Sequence, residues 1–316
     1  MTVLASASSP AAAQRLPFER AIDVMPGATL DVTTYRGKVD VTVHEGRQIR
    51  IDGTVTVRAG VEGFNLPSSV LELARRVADH PRIDVANNTV RLRPPIDPDE
   101  QRAVTVSYQV RVPRDTTVAI ASDSGAITVD GVAAPVTVAT ESSTITLSRI
   151  EGKTEVKTES GNVTVDRASG GLRVVTQSSA ITLRGLSGPL DARTQSGAIR
   201  ASFVGAGSAD VETGSSAIQL EGLSGRLNVR TQSGRVEVRG APTAEWNVTT
   251  GSSVIEASFQ PSARFDLEAT SRSSSVRVQG LAVDGFSAKE RVSGKVGGGG
   301  PMVRLESRSG QIHIGQ

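Results

Sequence analysis

Beyond residue 120 the chain alternates apolar and polar residues in short runs, with Gly and Ser between the runs. Ile127/Val129, Ile145/Leu147 and Val163/Val165 are apolar pairs with one polar residue between their members. A period of two over four to six residues predicts strands with one buried face. Gly reaches positive φ without strain and Ser bonds to neighbouring backbone, so the breaks between runs are turns. No helical period occurs in this half of the chain.

A Ser-[Gly/Ser]-x-[Ile/Val] element recurs through the same region. Its starts are Ser124, Ser142, Ser160, Ser178, Ser196, Ser215, Ser233, Ser252, Ser273, Ser293 and Ser309, and the first five follow one another at a constant step. A unit of about 18 residues cannot bury its own apolar face, but stacked units can, in parallel sheets with strands about 4.8 Å apart. We therefore predict an all-β fold, a parallel β-solenoid (β-helix) over residues 121–316 with a flexible Gly-rich loop at 296–301.

The size of one coil has two solutions. Ser-Gly and Ser-Ser forms alternate from residue 124 to residue 252, and GLSGPLDARTQSG at 185–197 reappears two units later as GLSGRLNVRTQSG at 222–234. A coil of two units, about 36 residues, gives each form its own corner and fits this alternation. A coil of one unit, about 18 residues, fits a compact aliphatic core better. The sequence leaves both sizes open.

Residues 15–120 lack the repeat and predict a β-rich cap at the N-terminal end of the solenoid. Residues 68–79, SSVLELARRVAD, form the only credible helix, with Ser68 or Ser69 as N-cap and an apolar stripe from Val70 to Val77. The end of a solenoid exposes unpaired strand edges and core, so a lead-in of this kind covers them.

Residues 1–14, MTVLASASSPAAAQ, carry no charged side chain. The small residues Ala11 to Ala13 resemble the end of a secretory signal before its cleavage site. The segment is therefore either a signal-peptide remnant or a disordered tail. The first alternative predicts an extracytoplasmic protein, either periplasmic, secreted or held at the cell surface.

Composition narrows the function further. Lys and Arg number 35 against 33 Asp and Glu, a formal charge of +2, which is too balanced for a nucleic-acid binder that neutralises phosphates. The chain has no cysteine, and no run of about 18 apolar residues predicts a membrane span. His44, His80 and His313 are scattered without metal-ligand spacing. We predict no catalytic residue, no metal site and no cofactor.

Two columns of polar residues are candidates for chemistry. An acidic residue precedes the Ser pair in three successive units, at Asp123, Glu141 and Glu159. We call these three residues the acid column. Stacked carboxylates could bind Ca²⁺ or act as acid and base in polysaccharide cleavage. A solvated corner where Glu and Gln tolerate stacking is the favoured explanation, and a coil of two units would separate Glu141 from the other two. An outward row follows one strand of successive units and is explained by β-propensity: Thr128, Thr146, Thr164 and Thr182.

The order of motifs resembles the bacterial putative-adhesin β-strand-repeat family, a domain of unknown function. The likeness rests on FERAIDVMPGATLDVTTYRGKVDV near the start, YQVRVP before the repeat, the Ser-Gly units and VGGGGPMVRLESRSGQIHI at the end. It covers residues 17–316. The family places Asp after Ser-Gly, whereas this chain does not. The resemblance implies an envelope location and a binding or scaffold role, and supplies no catalytic residues.

We therefore expect a non-enzymatic β-solenoid of the cell envelope or surface that acts as an adhesion-like or scaffolding module. Its expected partners are cell-wall glycan, the cell surface or envelope proteins, because solenoids present extended surfaces. The first alternative is a carbohydrate-active β-helix enzyme that uses the acid column. A weaker alternative is an intracellular assembly scaffold.

Overall fold

The computed structural model describes residues 15–58 and 68–316, so the predicted signal remnant or tail at residues 1–14 lies outside it. Two long sheets face each other across a thin aliphatic core. Sheet A has 14 strands and sheet B has 15.

The elements before the repeat are β1 (Arg15–Asp23), β2 (Thr29–Thr34), β3 (Val39–Val43), β4 (Gln48–Val57), α1 (Ser68–Asp79), β5 (Ile83–Ala86), β6 (Thr89–Leu92), α2 (Pro98–Ala103), β7 (Val104–Val112) and β8 (Thr117–Ser122). The regular stack contains β9 (Ala126–Asp130), β10 (Val136–Thr140), β11 (Thr144–Ile150), β12 (Thr154–Thr158), β13 (Val163–Ala168), β14 (Leu172–Thr176), β15 (Ile181–Leu186), β16 (Leu190–Thr194), β17 (Ile199–Phe203), β18 (Ala209–Thr213), β19 (Ile218–Leu223), β20 (Leu227–Thr231), β21 (Val236–Gly240), β22 (Trp246–Thr250) and β23 (Ile255–Phe259). The C-terminal part contains β24 (Phe265–Ser271), β25 (Val276–Val278), β26 (Asp284–Ser287), β27 (Arg291–Val296), β28 (Met302–Ser307) and β29 (Ile312–Gly315). The strand order is β1-β4-β7-β3-β9-β11-β13-β15-β17-β19-β21-β23-β29-β25 in sheet A and β26-β27-β24-β28-β22-β20-β18-β16-β14-β12-β10-β8-β2-β6-β5 in sheet B.

One coil of the solenoid is a single repeat unit and gives one strand to each sheet. Val136 pairs with Thr154 in sheet B, and Ile145 pairs with Val163 in sheet A, both in parallel register. The predicted parallel β-solenoid is confirmed. The alternative coil of two units is wrong, because residues one unit apart are direct neighbours in both sheets.

The core consists of aliphatic columns that alternate with outward polar columns. In sheet A one inner column contains Ile127, Ile145, Val163, Ile181 and Ile199, each at most 1% exposed. Towards the C-terminal end the core also contains aromatic side chains, and Trp246 and Phe265 are fully buried there. Each strand pair is too short to form a core alone, so burial depends on the neighbouring coils.

The Ser-Gly and Ser-Ser forms alternate because successive coils touch at this corner. A Cβ added to Gly197 would lie 1.6 Å from the carbonyl oxygen of Ser179 on the preceding coil, and one added to Gly161 would lie 1.6 Å from that of Ser143. The N–H of Gly197 donates to Thr194 Oγ1 over 3.0 Å. A Ser-Ser corner therefore stacks against a Ser-Gly corner, and a pair of coils is the repeating unit.

The C-terminal coil is inserted into the stack and does not extend it. Strands β28 and β29 lie between β22/β23 and β24/β25, so the coil that follows in sequence is displaced outward. Because of the insertion, Ser-Ser and Ser-Gly corners still alternate from one coil to the next in space. The Ser-Gly corner at Gly310 lies against the Ser-Ser corner at Ser253, and the next Ser-Ser corner, at Ser274, is on the coil beyond it. Ser293, counted above as a repeat start, lies within antiparallel β27 and forms no corner.

Both ends of the stack change from parallel to antiparallel pairing. At the N-terminal end β4 runs antiparallel to β7 and β1 antiparallel to β4, while β27 and β26 do the same beyond β24. The sheets continue through the predicted boundary at residue 121, since β2 and β3 pair with β8 and β9. Helix α1 occupies Ser68–Asp79, and the Pro-rich segment holds a second short helix, α2.

Candidate binding surfaces

The acid column forms on the outside of a corner. Because one coil is one repeat unit, Asp123, Glu141 and Glu159 occupy the same place on three successive coils, and the N–H of Glu159 donates to the carbonyl of Glu141 over 3.2 Å. All three residues are exposed. Neither of the two cavities described below includes any of them.

The three histidines lie on separate elements and face different partners. His44 contacts the Gln48 carbonyl at 2.6 Å, His313 contacts Gln311 Oε1 at 3.0 Å, and His80 follows α1. Within residues 15–58 and 68–316, no group of three His, Cys, Asp or Glu residues could hold a metal ion. The same residues contain no helix with the length and apolarity needed to cross a membrane.

The threonine row lies on the outer side of sheet A, between an uncharged column and a column that contains Asp130, Asp166 and Arg184. Thr128, Thr146, Thr164 and Thr182 pair in direct succession, and each is half-buried. The parallel column beside it carries small side chains as well. We call these two columns the threonine face: Ala126, Thr128, Thr144, Thr146, Asn162, Thr164, Ala180 and Thr182.

The equivalent outer side of sheet B carries charges of both signs that pair with one another. Glu155 pairs with Lys157 at 2.7 Å, and Asp191 pairs with both Arg173 and Arg193 at 2.8 and 2.9 Å. The hydrogen bond from Lys157 holds the pKa of Glu155 below its usual value. The two outer sides therefore differ in part: the two columns of the threonine face offer hydroxyl, methyl and amide groups, and ion pairs such as Arg149–Asp130 and Arg167–Asp166 lie beside them. On sheet B the ion pairs occupy the outward columns themselves.

Sheet A continues from the threonine face into a shallow groove of about 150 Å³. The groove exists because Ala198 and Ala217 have small side chains in a column where larger residues would fill the surface. Arg200 and Arg235 also line it. The Nη2 atom of Arg235 also pairs with the Glu256 carboxylate. The groove adds hydrogen-bonding groups of both charges at one end of the threonine face.

A larger cleft of about 380 Å³ lies in the N-terminal cap, between α1, β1, β7 and the segment around α2. Phe18, Val77 and Tyr108 form part of its wall and are 6%, 7% and 3% exposed. His80 and Arg82 stand at its rim.

Comparison with known proteins places the repeat in a family. The sequence profile of Toastrack DUF4097 matches residues 101–207 and 153–315, which together span more than half of the chain. The chain belongs to this family. The Toastrack match confirms the expected resemblance to a β-repeat domain of unknown function, and the stacked parallel strands are the corresponding fold.

Other comparisons add less. No curated protein matches the chain. A crystal structure of a putative cell adhesion protein from Clostridium sporogenes is 12% identical, with a TM-score of 0.22, and the match covers 95% of this chain and 99% of that one. A likeness at that TM-score carries no weight for fold or function. The Toastrack assignment rests on the profile match and the coil geometry.

Sequence reasoning missed the cap cleft of this Toastrack protein. Phe18 and Tyr108 lie in strands whose alternation marks them only as inward residues, and they are brought together through β4, which pairs with both strands. A usable signal was present in Gly53, an isolated glycine inside a strand pattern, which indicates a close approach by another group. Its partner could not be read from the sequence.

Proposed function

We propose that this protein is a non-enzymatic module of the cell envelope or surface, and that it binds its partner through the threonine face of sheet A. The contrast between the two uncharged columns of the threonine face and the ion-paired columns of sheet B carries the proposal. A partner on sheet B would have to displace ion pairs and desolvate charges, whereas hydroxyl and methyl groups cost less to desolvate.

The spacing of the threonine face fits an extended partner. Its rows repeat about every 4.8 Å along the stack, because each row belongs to the next coil. The adjoining groove supplies Arg200 and Gln219 for hydrogen bonds at one end. Cell-wall glycan and extended segments of envelope proteins both present repeating polar groups, so these are the partner classes to test.

The experiment measures binding of the purified chain to cell-wall sacculi and to immobilised envelope proteins. Thr146→Lys/Thr164→Lys places two charges on the threonine face. Thr137→Lys/Ala139→Lys places two on the outer side of sheet B and is the matched control. We expect the first pair to weaken binding at least tenfold and the control to leave it within twofold.

Equal effects of the two pairs would contradict the assignment to sheet A. A soluble, folded protein that binds neither preparation would contradict the binding role itself. Turnover on a glycan panel that Glu159→Gln abolishes would instead favour the carbohydrate-active enzyme, because the acid column is the set of carboxylates that could provide acid and base catalysis.

A further inference from the structure

The cleft in the cap has an apolar wall that is held in place from behind. Phe18 and Tyr108 meet edge to face, with ring centroids 6.3 Å apart and planes at 76°. A Cβ on Gly53 would lie 2.0 Å from Phe18 Cζ, so the missing side chain is what lets the phenyl ring lie across β4. The wall is therefore formed before any ligand arrives.

The size and lining of the cleft suit a small organic molecule. Its volume of about 380 Å³ falls at the lower end of the range of roughly 300–1,000 Å³ found for small-molecule sites. Val77 and Val106 add to the aromatic wall, and both are buried. An apolar surface with a few convergent polar groups is the usual composition of such a site.

One cation at the rim is available to an anion. Arg76 pairs with Glu100 at 3.3 Å, and Arg93 donates to Asp31 at 2.9 Å. Arg82 donates only to the Pro94 carbonyl, at 2.9 Å, and forms no ion pair with a carboxylate of residues 15–58 or 68–316. Its charge is exposed at the mouth of the cleft.

Tyr108 supplies a polar group inside the cleft. Its side chain is almost fully buried, and its hydroxyl makes no hydrogen bond to any residue in the part of the chain that the structure describes. Burial raises the pKa of Tyr108 to about 12, so the hydroxyl stays protonated and can donate. Because Tyr108 lines the cleft, this donor is available to an acceptor on a bound ligand.

We propose that this cleft binds a small organic acid, with a flat apolar body against Phe18 and Val77 and an acidic group that pairs with Arg82. The Tyr108 hydroxyl donates to a ligand oxygen. The site is separate from the threonine face and does not depend on the function proposed for it.

The test compares an anionic and a neutral aromatic probe in fluorescence titrations of the full chain. The probes are 1-anilinonaphthalene-8-sulfonate and N-phenyl-1-naphthylamine, which share the fused rings and differ in the sulfonate. We expect one site with at least tenfold preference for the sulfonate. Arg82→Gln changes an exposed side chain, and it is expected to remove that preference while leaving the neutral probe within twofold.

Two further variants locate the site. Val77→Trp fills the cleft and is expected to abolish both titrations, with the melting temperature as the check on folding. Phe286→Ser removes an exposed aromatic residue at the opposite end of the stack, 59% exposed, and is expected to change neither. Equal affinity for the two probes, an unchanged sulfonate titration in Arg82→Gln, or loss of binding in Phe286→Ser would overturn the proposal.

Discussion

Replacing Gly197 by Ala tests the stacking rule at the corner. The residue has no positive φ, so alanine is compatible with the backbone and the effect is purely steric. The new Cβ would lie 1.6 Å from the Ser179 oxygen and 2.5 Å from its carbonyl carbon. An ordinary contact begins near 3.4 Å, so the coils must separate locally by about 1.8 Å.

The cost follows from what that separation breaks. Among the hydrogen bonds that join the same coils at this corner, two backbone bonds involve the residues on either side of Gly197: Ser196 N–H donates to the Gln177 carbonyl at 3.0 Å, and Ile181 N–H donates to the Ala198 carbonyl at 2.9 Å. Each contributes about 1 kcal/mol net, and overpacking costs about 1–3 kcal/mol. The expected loss is about 3–5 kcal/mol.

The assay is thermal unfolding followed by circular dichroism. Since 1 kcal/mol corresponds to about 2–4 °C in chains of 150–250 residues, we expect Gly197→Ala to melt at least about 6 °C below wild type. Gly315→Ala is the matched control, because its Cβ would meet only an ordinary contact at 3.5 Å. A melting temperature for Gly197→Ala within about 2 °C of that control would refute the reasoning.

Other substitutions probe the core and the cap. Ser179→Ala removes a buried hydroxyl that has no hydrogen-bond partner among the described residues, so the free energy of unfolding measured in urea should be unchanged or rise by up to about 1 kcal/mol. A decrease of more than about 1 kcal/mol would show that the hydroxyl does have a partner. Gly53→Ala pushes its Cβ into Phe18, and urea unfolding should show a loss of about 1–3 kcal/mol; an unchanged midpoint would show that the ring can move aside. Burial raises the pKa of Tyr108 from 10.0 to about 12, so between these pH values the folded state keeps a proton that the unfolded state loses. The free energy of unfolding is therefore fully retained below pH 10 and falls as the pH rises to 12, by at most about 1.4 kcal/mol per pH unit. Tyr108→Phe should flatten that alkaline loss in pH-dependent unfolding, and identical slopes for wild type and variant would contradict the assignment.

The repeat could be predicted because its signal is local. Alternation of apolar residues and the Ser-punctuated spacing specify strands, buried faces and stacking without any knowledge of partners. The corner alternation was visible as well, but its cause was not, because the contact between Gly197 and Ser179 joins two coils whose register had to be known first.

Long-range pairing is what the sequence does not display. Ser293 carries the same local pattern as a true corner, yet its strand runs antiparallel to β24. The break in alternation, where Ser253 and Ser274 are successive Ser-Ser forms, is explained only by the later arrival of Gly310 between them. The cap cleft is hidden for the same reason, since Phe18 and Tyr108 lie far apart along the chain.

The inserted final coil has a consequence for how the molecule is made. During synthesis β24 to β27 leave the ribosome before β28 and β29, yet β24 has no hydrogen-bonded neighbour in the growing stack until β28 lies beside it. Strands β24, β27 and β26 pair with one another, but the layer of β24 and β25 can join the stack only after residues 302–315 have been synthesised.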